Sequence, residues 1–270
     1  MKATPVCSGN VGKWEVMIKS RELKALTVKE RRKRLRQLVP HLPEMRKPGF
    51  FDDYPRFQET SSVAAALDRL NFRQLHMIER NRALLEGKRV LDIASHDSRF
   101  SFAALKAGAA HVTGIEARES LVGSGVDNLK HYGIAPDRYD MRVGDVFEEI
   151  SNVENIDTVM CVGFLYHTAR HYELFAAISK LGAKNLIIDS RVLTDEAPLI
   201  RLKFEGTRKE GRIWDKDRNR ALSSTPSASA LQMLMTEFGY EVEILGLTVQ
   251  PPLSTHKYAT RERVTMTGRR

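Results

Sequence analysis

The chain has 270 residues, 42% of them hydrophobic and 29% charged, and a formal net charge of +9. That length fits one or two domains with a core large enough to dispense with disulfides or a structural metal, and the composition excludes disordered, collagen-like and coiled-coil chains. No apolar run approaches the roughly 18 residues of a membrane span, residues 1–16 lack the apolar stretch of a secretory signal, and the two cysteines, Cys7 and Cys161, form no framework, so the cytoplasm is the expected compartment.

The charge is uneven. Residues 1–60 carry an excess of 7 positive charges and residues 201–270 an excess of 5, whereas residues 61–200 carry an excess of 3 negative ones. Basic ends permit nucleic acid or an anionic substrate as partner, or simply a solubilising surface.

Residues 1–60 are irregular, punctuated by Pro40, Pro43, Pro48 and Pro55. Thr27 and Glu30 stand at capping-box spacing and predict one helix that ends before Pro40. Its run Arg31, Arg32, Lys33, Arg34, Arg36 suits a solvated helix face or a phosphate-tracking surface. Residues 61–86 read as helix: Ser61 or Ser62 can cap it, Val63, Ala66, Leu67, Leu70, Leu75, Ile78 and Leu85 recur at helical spacing, Gly87 stops it, and Asn71-Phe72 marks a joint.

From residue 88 short apolar runs alternate with helical stretches. Strands are predicted at 89–94, 111–116, 139–143, 157–162 and 185–191, with helices at 98–107, 118–132 and 171–181 that end on Gly108, Gly133 and Gly182. This rhythm specifies βαβ units and a doubly wound, mostly parallel sheet covered on both faces. Residues 193–223 break it: a charged stretch around Trp214 reads as a lid or substrate-binding insertion. A helix follows to residue 238 with Pro226 in its first turn, then a strand at 241–249 and a closing strand at 261–267. The division expected is an N-terminal extension and helical cover, 1–86, and an α/β domain, 87–270.

In such a sheet ligands bind beyond the carboxyl ends of the strands. After the first strand come Asp92 and the loop Ala94, Ser95, His96, Asp97, Ser98. After the second comes Glu116, 24 residues past Asp92 and placed for a ribose diol. After the third comes Gly144-Asp145-Val146-Phe147, and after the fourth Gly163-Phe164-Leu165-Tyr166-His167. His171, Asp189 and Arg191 are weaker candidates at the fifth. Cys161, inside an apolar strand, reads as a packed small residue, and Phe100, Phe102 and Leu105 read as core. Asp189 could bind a metal, but no His/Asp/Glu cluster stands with it, and no metal is expected.

VLDIASHDSRFS, VTGIEAR, VGDVFEE and IDTVMCVGFLYH, in that order, resemble the S-adenosylmethionine-binding core of class I methyltransferases over roughly residues 88–190. The resemblance implies a seven-stranded Rossmann-like fold with an antiparallel last strand, and S-adenosyl-L-methionine as cofactor. It assigns Asp92 to the methionine end, Glu116 with Ala117 to the ribose, and Asp145 with Val146 and Phe147 to the adenine. Ala94, Ser95, His96, Ser98 and Gly163 then line the rest of the cofactor. One departure stands out: the family loop usually carries three glycines where this chain has Ala94, His96 and Ser98, so close backbone approach must be achieved without them.

The resemblance implies in-line methyl transfer. His167, with an ordinary pKa near neutrality, is the expected base, and Tyr166 an expected lining residue. The L-Y-H triplet with Thr225-Pro226-Ser227 also resembles the tRNA wobble-uridine carboxymethyltransferase group, in which the tyrosine helps hold the carboxylate of a modified cofactor. Three functions follow: a methyltransferase acting at O or N of a small-molecule acceptor, a tRNA-modifying enzyme, or a non-catalytic binding protein that kept the fold.

Overall fold

A computed structural model of the protein describes residue 22 and residues 25–60, 66–206 and 220–270. Cys7, Ser61, Ser62, Val63 and Trp214 lie outside the described residues.

The sheet forms from strands β1 (Arg89–Ile93), β2 (His111–Glu116), β3 (Tyr139–Val143), β4 (Thr158–Val162), β5 (Asn185–Arg191), β8 (Glu241–Ile244) and β9 (Arg263–Arg269). Its seven strands run in the order β3-β2-β1-β4-β5-β9-β8. The first five pair in parallel, and β9 inserts antiparallel between β5 and β8. The doubly wound reading of residues 88–191 therefore holds strand for strand.

Strand side chains alternate between two clusters, as a sheet buried on both faces requires. Leu91, Ile93, Val159, Cys161, Leu186 and Ile188 face helices α7 (His171–Lys180) and α8 (Ala228–Glu237), which contribute Leu174, Phe175, Ile178, Leu231 and Met235. Val90, Val112, Met160 and Ile187 face α4 (Arg99–Lys106) and α5 (Glu119–His131). Phe100, Phe102 and Leu105 are buried there, as the sequence indicates.

Leu35 of the first helix in the N-terminal segment packs separately with Leu253 and Ala259, whereas from Phe50 onward the segment belongs to this second cluster. Phe51, Phe57, Leu70, Met77 and Ile78 pack into it, and Phe57 and Tyr132 rings lie 5.6 Å apart. Its helices are α1 (Val28–Leu38), α2 (Arg56–Glu59) and α3 (Leu67–Arg73). Thr27 caps α1 in a true capping box: the Glu30 amide donates to Thr27 Oγ1 and the Thr27 amide to Glu30 Oε2.

Four expectations need correction. The single helix over 61–86 is, in its described part, α3 followed by a π-helical turn at Gln74–Ile78 and a 3₁₀ segment at Glu79–Leu84, so the joint falls at Asn81, whose backbone is non-helical, rather than at Asn71-Phe72. The insertion expected at 193–223 runs past its expected end, because it carries a hairpin, β6 (Ile200–Gly206) with β7 (Arg220–Pro226). Pro226 accordingly ends β7, and Ser227 caps α8 by accepting from the Ala230 amide. The strand expected over 241–249 stops at Ile244, before the turn-prone Gly246.

Candidate functional site

The carboxyl ends of β1 to β5 open into one cavity of about 570 Å³, within the range of small-ligand pockets. Asp92, Ala94, Ser95, His96, Glu116, Ala117, Asp145, Val146, Phe147, Gly163, Tyr166 and His167 all border it. Ser98 does not: its hydroxyl turns to Met141 Sδ at 3.3 Å, under α5.

The loop after β1 does without glycine by brute constraint. Ala94, His96 and Ser98 all adopt left-handed backbone, with φ of 56°, 56° and 61°. Each such residue costs roughly 1–2 kcal/mol, so the surroundings must enforce the path. The Ser95 amide donates to Ile115 O at 3.0 Å and the His96 amide to Glu116 Oε2 at 3.1 Å, fixing the loop to β2. Asp97 is buried and accepts from Arg99 Nε at 2.6 Å and from Thr60 Oγ1 at 2.8 Å. Asn128 Nδ2 donates to the same Thr60 hydroxyl, and Arg56 Nε to Asn128 Oδ1. Burial pushes the Asp97 pKa up, but the His96 hydrogen bond and the Arg99 charge outweigh it and hold it down at about 2. Asp97 thus ties the loop to the N-terminal cover, a role its sequence position did not signal.

Three carboxylates line one end. Asp92, 1% exposed, accepts from Ser101 Oγ at 2.6 Å, and burial, helped by the charge on Glu116, lifts its pKa to about 7. Glu116 accepts from the His96 amide and from the Arg118 amide and Nε at 3.1 and 2.8 Å. Asp145 caps the short helix α6 (Val146–Glu149) by accepting from the Phe147 amide. Burial raises its pKa against that bond and against Arg170, which lies 3.8 Å from it and over the Phe147 ring.

The opposite end is basic. Gly163 has φ 87°, and a side chain there would meet the Tyr166 hydroxyl at 3.4 Å and the Arg263 and Arg73 guanidinium groups at 3.6 and 3.7 Å. Asp189 sits beneath. It accepts from Arg73 Nη2 and Arg263 Nε, both at 2.8 Å, and from Tyr258 Oη at 2.6 Å and Thr265 Oγ1 at 3.0 Å. Burial would raise its pKa, but Arg263 and Arg73 hold it far below the carboxylate range. Both oxygens are committed, so Asp189 is an ion-pair centre rather than a metal ligand. Among the described residues no group of three or more His, Cys, Asp or Glu side chains is placed to hold a metal.

Tyr166 is 7% exposed, with the Arg191 and Arg263 guanidinium carbons 4.8 and 5.6 Å from its ring centre. Burial raises its pKa, yet Arg263, Arg191 and Arg73 together bring it below the ordinary phenol value. The His167 ring lies 4.3 Å from Tyr166, and its Nδ1 is 3.9 Å from Glu205 on β6, which in turn pairs with Lys203 at 2.7 Å. Ala221 and Leu222 of β7 complete the wall. His171 is not part of the site: it is buried, with Nε2 2.9 Å from Leu165 O. Cys161 is buried in β4, where burial and the charges of Asp92 and Asp189 raise its thiol pKa.

Sequence reasoning missed Arg69, Arg73, Arg99, Arg118, Arg170 and Arg263, because nothing local marks a surface arginine from one aimed inward.

No family model and no curated protein sequence matches the chain. Solved structures do. The N-terminal domain of EvdMO1, in the presence of SAH and D-fucose, superposes with TM-score 0.56 at 14% identity, covering 90% of this chain and 97% of that one. Magnesium protoporphyrin IX methyltransferase (ChlM) from Synechocystis PCC 6803 with bound SAM gives TM-score 0.51 at 16% identity, covering 81% of this chain and 91% of that one. The pyocyanin biosynthetic protein PhzM gives 0.51 at 19% identity, covering 75% and 56%. The fold is the Rossmann-like methyltransferase fold.

Proposed function

We propose that the protein is an S-adenosylmethionine-dependent methyltransferase acting at O or N of a small molecule. The observation that carries this reading is the convergence of Asp92, Glu116 and Asp145, from three consecutive strand ends, on one cavity beside a left-handed loop.

The residues fit the cofactor. Asp92, with its pKa lifted to about 7 by burial, gains from a cation, which the ammonium of an amino acid supplies. Glu116 offers oxygens to a ribose diol once the Arg118 fork, 21% exposed, swings aside. Asp145 would accept from an adenine amino group. When bound, the cofactor supplies a methyl group already activated on a positively charged sulfur. The chain's own work is to hold the acceptor in line, exclude water and take a proton. His167 is the base, Glu205 steadies its ring, and the hairpin β6–β7 closes the wall above it.

His167→Asn tests the assignment: turnover should fall about 10²- to 10⁴-fold with the dissociation constant for S-adenosylhomocysteine unchanged. Unchanged turnover removes His167 as base. Calorimetry showing no heat with S-adenosylhomocysteine at millimolar concentration would instead favour the non-catalytic protein.

RNA modification is the second reading, supported by the basic α1, on which Arg32, Lys33 and Arg36 are exposed. Its mark is a tRNA gel shift that weakens steeply with salt. Among the described residues no helix is long and apolar enough to cross a membrane.

A further inference from the structure

The basic end of the cavity holds more positive charge than the protein neutralises. Arg73 and Arg263 pair with the carboxylate of Asp189, and Arg69 and Arg191 join them around Tyr166, so that four guanidinium groups stand beside this one carboxylate, an excess of three positive charges. Arg263 is committed to Asp189 through Nε and Nη2. Arg73 reaches Asp189 with one nitrogen only, and its Nε is buried without a hydrogen-bond partner. Arg69 is half-buried, and among the described residues no carboxylate lies within ion-pair distance of it. Burial and the like charges of Arg73 and Arg263 bring its pKa down to about 10. Arg191 is exposed and rests against the Tyr166 ring.

Clustered guanidinium groups with unused donors at the wall of a cavity are a receptor for a planar oxyanion, which they grip through paired N–H bonds. The cofactor does not account for them. Glu116 on β2 and Asp189 on β5 are three strand positions apart in the sheet, about 14 Å at 4.8 Å per strand. A cofactor with its nucleoside at the acidic end carries a single carboxylate, which even at the arginines would cancel only one charge of three.

We propose that Arg69, Arg73 and Arg191 form an anion subsite for the methyl acceptor, which carries a carboxylate or phosphate beside the atom to be methylated. This rests on the methyltransferase reading and adds the substrate class to it.

The test is calorimetry of matched probes, benzoate against benzamide and phenyl phosphate against phenol, on the protein with and without saturating S-adenosylhomocysteine. At least one anion should bind tenfold or more tighter than its neutral partner, and the pair that responds names the oxyanion. Arg69→Gln and Arg191→Gln should each cut that advantage at least threefold while leaving the dissociation constant of S-adenosylhomocysteine within twofold; Arg191 is exposed, so its variant should fold normally.

The proposal is overturned if no probe binds, if anions and neutral partners bind alike, or if both variants keep the full advantage. It is also overturned if the variants weaken S-adenosylhomocysteine tenfold, which would assign the arginines to the cofactor's own carboxylate. A carboxylated S-adenosylmethionine that binds tenfold tighter than the plain cofactor, with that gain lost in Arg69→Gln, overturns it as well. Failure of S-adenosylhomocysteine to bind the unaltered protein sinks the methyltransferase reading instead. An anion preference measured without it would then stand alone as the anion site.

Discussion

The two ends of the cavity are electrostatic opposites. At one, Asp92, Glu116 and Asp145 line the wall, and burial with the charge of Glu116 lifts the pKa of Asp92 to about 7. At the other, Arg69, Arg73 and Arg191 line the wall, and Arg73 with Arg263 holds the one carboxylate there, Asp189, whose pKa is driven far down. Each end is incomplete in a complementary sense. The acidic end is relieved by a cation and the basic end by an anion, so a ligand pair with charge laid out in that order is favoured in one direction only. The buried group at each end also feels its surroundings differently. Asp92 is a cost to folding that a ligand repays, whereas Asp189 is a support that folding cannot lose.

Asp189→Asn breaks the comparison most severely. Removing one partner of a buried ion-pair network costs roughly 3–5 kcal/mol, because the remaining charges stay buried and unpaired. The melting temperature should fall by on the order of 10 °C at neutral pH. The sign with pH follows from the depressed carboxyl. Its contribution is complete above the unfolded pKa near 4 and fades as pH falls toward the folded one, so the two melting curves should converge in strong acid. A drop under about 1 kcal/mol would mean the arginines find other partners.

Asp92→Asn should act in the opposite direction. A carboxyl whose pKa is raised from 3.8 to about 7 in the folded protein binds its proton more tightly when folded. Stability is therefore lost as pH rises from about 4 to 7, by at most about 4 kcal/mol. The asparagine escapes that loss. The variant should match the unaltered protein near pH 4 and melt higher above pH 7, while losing affinity for S-adenosylhomocysteine. In the unaltered protein that affinity should climb between pH 6 and 8 as Asp92 ionises. A flat affinity profile would detach Asp92 from the cofactor's ammonium.

The same contrast explains what the sequence made legible. The acidic end is assembled from residues at or just past the carboxyl ends of strands, and its partners are close in sequence: Ser101 lies nine residues from Asp92 and Arg118 two from Glu116. Strand periodicity and motif spacing find such a site. The basic end joins α3, β5 and β9, with Arg73 and Asp189 116 residues apart and Arg263 and Asp189 74 apart. No local pattern encodes those contacts. The hairpin β6–β7 escaped for a different reason. Its apolar residues Leu202, Phe204 and Leu222 are exposed, at 59%, 64% and 48%, so alternation there does not mark a core face. The π-helical turn at Gln74–Ile78 shifts the 3.6-residue period and hides the joint at Asn81.

The smallest expected effect concerns how the acidic end holds its loop. Ala94→Gly relieves a left-handed alanine, worth about 1–2 kcal/mol. It also removes a methyl that packs against the main core, about 0.8 kcal/mol, and frees the unfolded chain by about 0.4–1 kcal/mol. The terms nearly cancel, so stability in denaturant should move by less than about 0.5 kcal/mol. Ser98→Gly should be clearly worse, since Ser98 fills the space over Gly125, where an added Cβ would come within 2.3 Å of its hydroxyl oxygen. A gain above about 1.5 kcal/mol in Ala94→Gly would show the loop carrying strain that its Asp97 and Glu116 anchors leave unrelieved. Near-neutrality would show that those anchors do for this loop what glycines do in the family it resembles.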